Sequence, residues 1–403
     1  MFTNDLLKKI KFETNFKKID QLTKTNLNII FDENILNFFG KLSDKIFERK
    51  DIRKYPDLAS YAFFCRKKNV LKLKKKYNGF IENRYGRGVS LHFAPSNVPL
   101  NFAYSLFFGL ISGNSCIIRI SENQSNQSKI LINQINNLFK IKNFFSIKKR
   151  IIILKYSKNK YITDILSKIC DVRIIWGGDE SIDEIRNSPL KPTAFDVTFA
   201  DKYSISIVGC NEYIESKNKM KEAISFFNDT LFFDQNACTS PKVICWIGNK
   251  KDVKEARRLF WRYFEKVTIQ KKYKPGGNVA YEKFYKETLL SIDQKVKLDQ
   301  NNQNTKKILL NKIPNNFEKY FSAGGIFLEF HSTNLKNLKK VMTNKVQTIT
   351  YLNINPMQIV KSLELKKIKG GDRIVMNGRS SDIGLEWDGY DIIFQISKKL
   401  III

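Results

Sequence analysis

From residue 89 to about 176 the chain repeats one rhythm: a short apolar run, a Gly or Pro break, then an amphipathic stretch. VSLHFAP (89–95), CIIRI (116–120), RIIILKY (150–156) and DVRIIWGG (171–178) read as strands, and PLNFAYSLFFGLI, SKILINQINNLF and YITDILSKI between them have helical spacing. Such alternation constrains the fold to parallel βαβ units with helices on both faces of a sheet. Dinucleotides bind such sheets at the carboxyl ends of the strands, where helix N-termini face the crevice, so chemistry is expected at that end.

Residues 1 to about 80 are helical in pattern instead. After FDVTFADKYSISIVG (195–209), a helical stretch is expected over about 212–233, followed by a strand in KVICWIG. Two more helices then flank a KPGGN turn, and KLDQNNQNTKK (297–307) reads as a loop. GGIFLEF, NLKKVM, VQTITYLNI and MQIVKSLEL resume the α/β alternation. The terminal KLIII is a strand former, expected to pair within a sheet or across a subunit interface. The expected boundaries are 1–205, 206–372 and 373–403, the last closing the fold or an oligomer interface.

Charge bears on the class of partner. With 70 Lys and Arg against 39 Asp and Glu, the net charge is +31, but the lysines are scattered and no nucleic-acid motif accompanies them. A solvated basic surface is the reading, with no nucleic-acid site. No segment approaches the ~20 apolar residues of a membrane span, so no membrane insertion is expected. Six cysteines lack C-x-x-C spacing and there are only two histidines, which argues against zinc or a disulfide framework. Free thiols imply a reducing, cytoplasmic setting.

Cys238 differs from the other five cysteines. In FFDQNACTSPKVICWIG it is flanked by Asn236, Ala237, Thr239 and Ser240, small or polar residues on a loop that Pro241 ends before a strand. The others lie in strand or helix patterns, where a cysteine is an ordinary core residue. Neither histidine belongs to a recognisable Cys–His dyad motif, so a thiolate at Cys238 needs another source of stabilisation. In HFAPSNVPL, Pro95 and Pro99 fix a tight connection that displays Asn97, either as a turn residue or as an amide donor to an oxyanion.

Together these segments carry a resemblance. APSNVPL and GNSCIIRISE resemble the Pro-x-Asn-x-Pro and Gly-Asn-x-x-x-x-Lys-x-x-Glu segments of the aldehyde dehydrogenase superfamily, with Arg119 where lysine is usual. YPDLASYAFFCRK, GRGVSLHFAPSNVPLNFAYSLFFGLISGN, IIWGGDESIDEIR, FDQNACTSP and RIVMNGRSSDIGLEWDG are similar, in order, to the acyl-CoA reductase family of the bacterial bioluminescence (LuxC) type. The resemblance implies an α/β, aldehyde-dehydrogenase-like fold: a Rossmann-type cofactor-binding domain plus an α/β catalytic domain.

It also implies a mechanism. Cys238 attacks an acyl-CoA or acyl-protein thioester with Asn97 helping to hold the oxyanion, and NADPH, with NADH possible, then reduces the acyl-enzyme to an aldehyde. Arg119, Ser121 and Glu122 are placed near the adenosine ribose and Gly177-Gly178 near the pyrophosphate. The plainer readings are a strand-end charge for Arg119 and a strand-to-helix turn for the glycines. Arg119 favours the 2′-phosphate of NADPH, whereas Glu122 favours the ribose hydroxyls of NADH. The glutamate that activates water in hydrolytic relatives is matched by Phe199 or Ala200 in TFADKYS, which fits a reductase. A homo-oligomer and an acyl-activating synthetase partner are also implied. The alternatives are a dehydrogenase oxidising aldehydes to free acids and a basic, non-catalytic binding protein on the same scaffold.

Overall fold

The computed structural model describes residues 4–95, 98–294 and 305–402. The chain forms two compact units, residues 1–200 with 383–403 and residues 201–382. The division falls at Asp201, a few residues before the 206 expected from the sequence. Residues 373–382 stay with the second unit.

In the first unit β1 (Lys11–Phe12), β2 (Arg84–Gly86), β3 (Val89–Phe93), β4 (Ser115–Arg119), β5 (Ile151–Lys155), β6 (Val172–Trp176) and β7 (Phe195–Phe199) follow one another. The main sheet has the order β1-β5-β4-β3-β6-β7, parallel except for β1 at its edge. The strands are almost continuously apolar because both faces are covered. Val89, Leu91 and Phe93 turn to a core holding Leu154, Ile162 and Leu166. Ile118, Ile151, Ile153, Val172 and Ile174 turn to the opposite, aromatic-rich core, built with helices Glu33–Phe47, Pro56–Cys65 and Asn101–Ile111. Asp32 starts the first of these helices by accepting from the N–H groups of Asn34 and Ile35.

In the second unit β8 (Tyr203–Gly209), β9 (Pro241–Ile247), β10 (Lys306–Leu310), β11 (Ile326–Ser332), β12 (Val346–Leu352) and β13 (Arg373–Met376) form an all-parallel sheet, ordered β10-β11-β9-β8-β12-β13. Ile205, Ile207 and Val243 face one core, and Val208, Ile244 and Trp246 face the other. Glu329, fully buried on β11, accepts from the indole N–H groups of Trp246 (2.9 Å) and Trp261 (2.8 Å) and pairs with Arg257. Each sheet thus contains five parallel strands in the order third, second, first, fourth, fifth, with one extra strand at the edge.

Some expectations change. The helical stretch expected over 212–233 is two helices, Cys210–Glu215 and Lys219–Asp229, with a 3-10 turn at Leu231–Phe233. Asp234 and Gln235 then take left-handed backbone, which no helix tolerates. Of the stretch 297–307 read as loop, 297–304 lies outside the described residues, and Lys306 and Lys307 open β10 because they pair in register with Ile326 and Phe327. At the C-terminus the strand, β16 (Ser397–Lys399), pairs with β2, while β14 (Glu386–Trp387) and β15 (Tyr390–Asp391) form a separate hairpin. Leu400 still donates its N–H to Asn83, but Ile401 and Ile402 are exposed: the ladder with β2 ends before them.

Candidate active site

In the second unit, the loop 234–240 carries Cys238 into the amino end of β9. Asp234 (φ 51°) and Gln235 (φ 58°) are consecutive non-glycine residues in left-handed backbone, a strained arrangement that persists only when its surroundings impose it. Gln235 is fully buried. Its amide donates to the carbonyls of Pro241 (2.9 Å) and Ile326 (3.0 Å) and accepts from the N–H of Gly325 (3.0 Å). The N–H of Gly324 donates to the Asp234 carbonyl (2.8 Å), and Gly324 and Gly325 themselves have φ of 75° and 88°, a turn suited to glycine. Lys242 donates from Nζ to the carbonyls of Gln235 and Ser322, and Ser204 Oγ donates to the Cys238 carbonyl (2.7 Å).

Cys238 is half-buried, whereas the other five cysteines are buried. Burial pushes the thiols of Cys116, Cys170, Cys210 and Cys245 up to about 12 and that of Cys65 higher still, so these five are inert core groups. The Cys238 sulfur accepts from Gln347 Nε2 at 3.3 Å. Gln347, 2% exposed, stands at the start of β12. Two cations act electrostatically on Cys238. Burial pushes the ammonium of Lys242 down to about 7, and it lowers the Arg373 guanidinium as well. Asp229 accepts from the N–H groups of Gly378 (2.6 Å) and Ser380 (2.8 Å) and so braces the 377–382 turn beyond Arg373; burial pushes its carboxyl up to about 6.

No imidazole serves this sulfur. His331 lies near the carboxyl end of β11, with Nε2 against the Gly248 carbonyl at 3.0 Å. The seven residues of β9 put that end roughly 20 Å from the Cys238 end. His92, in the first unit, is fully buried between Ser105 (2.7 Å) and Ser90 (2.8 Å), and burial pushes it down to about 3, so it is neutral.

Of the residues proposed from the sequence, Asn97 lies outside the described residues. The cofactor candidates gather at the carboxyl ends of the first sheet. Arg119 ends β4, with its guanidinium donating to the Tyr156 carbonyl (3.3 Å) and lying over the Tyr156 ring. Ser121 and Glu122 follow it. Glu122 lines a cavity of about 560 Å³ together with Lys11, Glu13, Gln124, Lys129 and Lys155. Gln124 presents there a buried Nε2 with no hydrogen-bond partner. Gly177 and Gly178 follow β6 and open the helix Asp179–Arg186; Gly178 has nothing within 4 Å of where a Cβ would stand. Phe199, which with Ala200 is one of the two residues set against the water-activating glutamate of hydrolytic relatives, is buried and stacked on Trp176 with ring centroids 3.7 Å apart.

Sequence reasoning missed Gln347, Ser204, Gln235 and Lys242. Gln235 and Lys242 were within reach as neighbours of Cys238, but nothing in the sequence links residue 347 to residue 238.

Residues 31–394 match the family model described as acyl-CoA reductase (LuxC). The chain belongs to the LuxC acyl-CoA reductase family. Relatives of this LuxC-family chain include the long-chain acyl-protein thioester reductase of Aliivibrio fischeri, 28% identical over 40% of this chain and 33% of that protein. That of Photobacterium phosphoreum is 24% identical over 73% of this chain and 58% of that protein. The chain therefore spans less than two thirds of these curated relatives' length. Among solved structures, lactaldehyde dehydrogenase from Escherichia coli superposes with a TM-score of 0.64 at 11% identity, covering 91% of this chain and 86% of that one. The Pseudomonas syringae indole-3-acetaldehyde dehydrogenase, solved with NAD⁺, gives 0.63 at 10% identity over 96% and 84%. The fold is that of the aldehyde dehydrogenases.

Among the described residues no three His, Cys, Asp or Glu side chains gather to hold a metal ion, and no helix is long and apolar enough to cross a membrane.

Proposed function

We propose that this protein reduces an activated acyl group, an acyl-CoA or acyl-protein thioester with a fatty acyl chain, to the aldehyde through an acyl–Cys238 intermediate. The observation that carries the reading is the state of Cys238: alone among six cysteines it is half-exposed, on a clamped and strained loop, with an amide donor on its sulfur. The thiolate attacks the thioester carbonyl, the carbonyl π pair moves to oxygen, and its return expels the donor thiolate, leaving a new thioester on Cys238. Asn97 is assigned to the oxyanion together with the Cys238 N–H.

The first unit suits a nicotinamide dinucleotide. Gln124 Nε2 is an orphaned donor in the cavity beyond β4, and Gly178 leaves open space before a helix N-terminus. Arg119, Ser121, Glu122, Gly177 and Gly178 are the residues assigned to hold it; when bound and reduced it supplies the hydride. Lys129 in the cavity wall, where Lys11 and Lys155 are paired with Glu13, supports NADPH as the preferred form. Phe199, stacked and apolar, or Ala200 in the place of the water-activating glutamate supports aldehyde rather than acid as product, since neither can activate water. The relatives' name supports an acyl-protein donor and, with it, an acyl-activating synthetase as supplier. Exposed Ile401 and Ile402 support self-association, and the free thiols support a cytoplasmic setting.

The test is to incubate the protein with long-chain acyl-CoA and acyl-protein thioesters and read the adduct by mass spectrometry, then add NADPH or NADH and measure aldehyde. Acylation confined to Cys238, with NADPH-dependent aldehyde release, is expected. Free acid as the main product, or aldehyde from Cys238→Ala, overturns the reading.

A further inference from the structure

We propose that Gln347 is a catalytic residue of this protein: its side-chain amide is the donor that holds Cys238 Sγ as a thiolate, the task an imidazole performs in Cys–His enzymes. The inference rests on the reading of Cys238 as the nucleophile and adds to it the group that activates it.

Three observations carry it. Gln347 Nε2 contacts the sulfur itself, at 3.3 Å, within the range of a hydrogen bond to sulfur. The amide is held in one place, because Gln347 is 2% exposed on an interior strand of the sheet, between β8 and β13. The imidazoles are engaged elsewhere, His331 at the far end of the sheet and His92 inside the first unit's core. An amide donor favours the ionised sulfur without itself titrating, so the thiol proton passes to solvent water and no side chain has to store it.

The electrostatic surroundings act in the same direction. Arg373 from β13 places positive charge near the sulfur throughout, and Lys242 from β9 adds to it below about pH 7. Lys242 is balanced by Asp201 and Glu282, and Arg373 by Asp229 and Asp382. These cations set the background field. The amide supplies the directional contact, which fixes where the sulfur lone pair points.

The probe is iodoacetamide, with alkylation of the Cys238 peptide followed by mass spectrometry from pH 5 to 10 in the full-length protein. The native rate should already be on its plateau below the ordinary thiol value, about 8.5. Gln347→Met keeps the length and removes the donor; the inflection should move up by about one unit, which from an inflection near 7 lowers the rate at pH 7 about fivefold. Gln347→Glu sets a carboxylate against the sulfur and should slow alkylation by about a hundredfold. Thermal melts confirm that both variants are folded. Rates within twofold of native in either folded variant overturn the proposal. If neither folds, the native profile decides alone: an inflection at or above the ordinary thiol value overturns it. No substrate takes part, so shifted profiles in a protein that makes no aldehyde would remove the reductase reading and leave Gln347 as the donor that ionises Cys238, and unshifted profiles in an active enzyme would do the reverse.

Discussion

The two units use the same strand order at opposite ends. In the first, the residues assigned to the cofactor end or follow β4 and follow β6, at the carboxyl ends, where Gly178 leaves open space before a helix start. In the second, Cys238 precedes β9, Ser204 and Gln347 stand near the starts of β8 and β12, and the site is at the amino ends. The carboxyl-end position expected for the chemistry is thus where the proposed cofactor residues stand, whereas the proposed nucleophile stands at the amino end of its sheet. A reversible ligand is served by unpaired N–H groups at helix starts. A covalent nucleophile, the role proposed for Cys238, needs one fixed position instead, and the strained Asp234-Gln235 pair, held by Gln235, Lys242 and the Gly324-Gly325 turn, fits that need.

The sharpest way to break this comparison is Cys238→Ser. Aldehyde formation should fall by about 10⁴-fold or more with an unchanged melting temperature, because a hydroxyl at this site lacks the ionisable nucleophile. Residual turnover within tenfold of native would show that the amino-end site is not where the acyl group is carried.

Next in size is Gln235→Leu, which unpairs the carbonyls of Pro241 and Ile326 and the N–H of Gly325 while removing what holds the left-handed pair. Stability should drop by about 3 kcal/mol in urea unfolding, and acylation of Cys238 should slow more than substrate binding weakens. A drop below about 1 kcal/mol would mean that the loop does not depend on this clamp.

The units should also respond to pH with opposite sign. Burial depresses His92 from 6.5 to about 3, so the first unit's stability from this group is complete above about 6.5 and is lost as pH falls toward 3; at pH 4 the loss is about 3 kcal/mol. Burial raises Asp229 from 3.8 to about 6, so its contribution in the second unit is present below about 3.8 and is lost as pH rises through 6, again by about 3 kcal/mol. Hydrogen exchange read separately for the two units at pH 4 and 7 checks this. His92→Gln should flatten the first trend and Asp229→Asn the second; parallel pH trends in both units would refute it.

The smallest effect is expected at Gly178→Ala. Its Cβ meets nothing in the protein, so folding should be untouched, and dinucleotide affinity measured by calorimetry should fall a few-fold if the backbone there approaches a phosphate. Unchanged affinity would take the glycine pair out of the cofactor site and leave it the plain strand-to-helix turn.

Much of this was legible in the sequence because it is local. The apolar runs at 89–93, 116–119, 151–155 and 172–176 are strands since each is buried on both faces, and Cys238 stood out because its neighbours are small and polar. The break at Ser216 and the positive φ at Asp234 were not legible. No glycine or proline marks either, and tertiary hydrogen bonds impose the second. The KLIII tail misled for a related reason: composition favours a strand, but pairing decides one, and the partner β2 ends at Arg84 opposite Lys399.

The sequence by itself determined two α/β units, the loop that presents a cysteine and, through ordered motifs, the family. Only the tertiary structure decided that the cysteine sits at the amino ends of its sheet, that Gln347, 109 residues further on, bonds its sulfur, and that neither histidine serves it. The physical reason is that strand order in a parallel sheet is set by crossovers that leave no local mark. Residues at the starts of β8, β9 and β12 become neighbours only when β9 and β12 pair with β8 on either side.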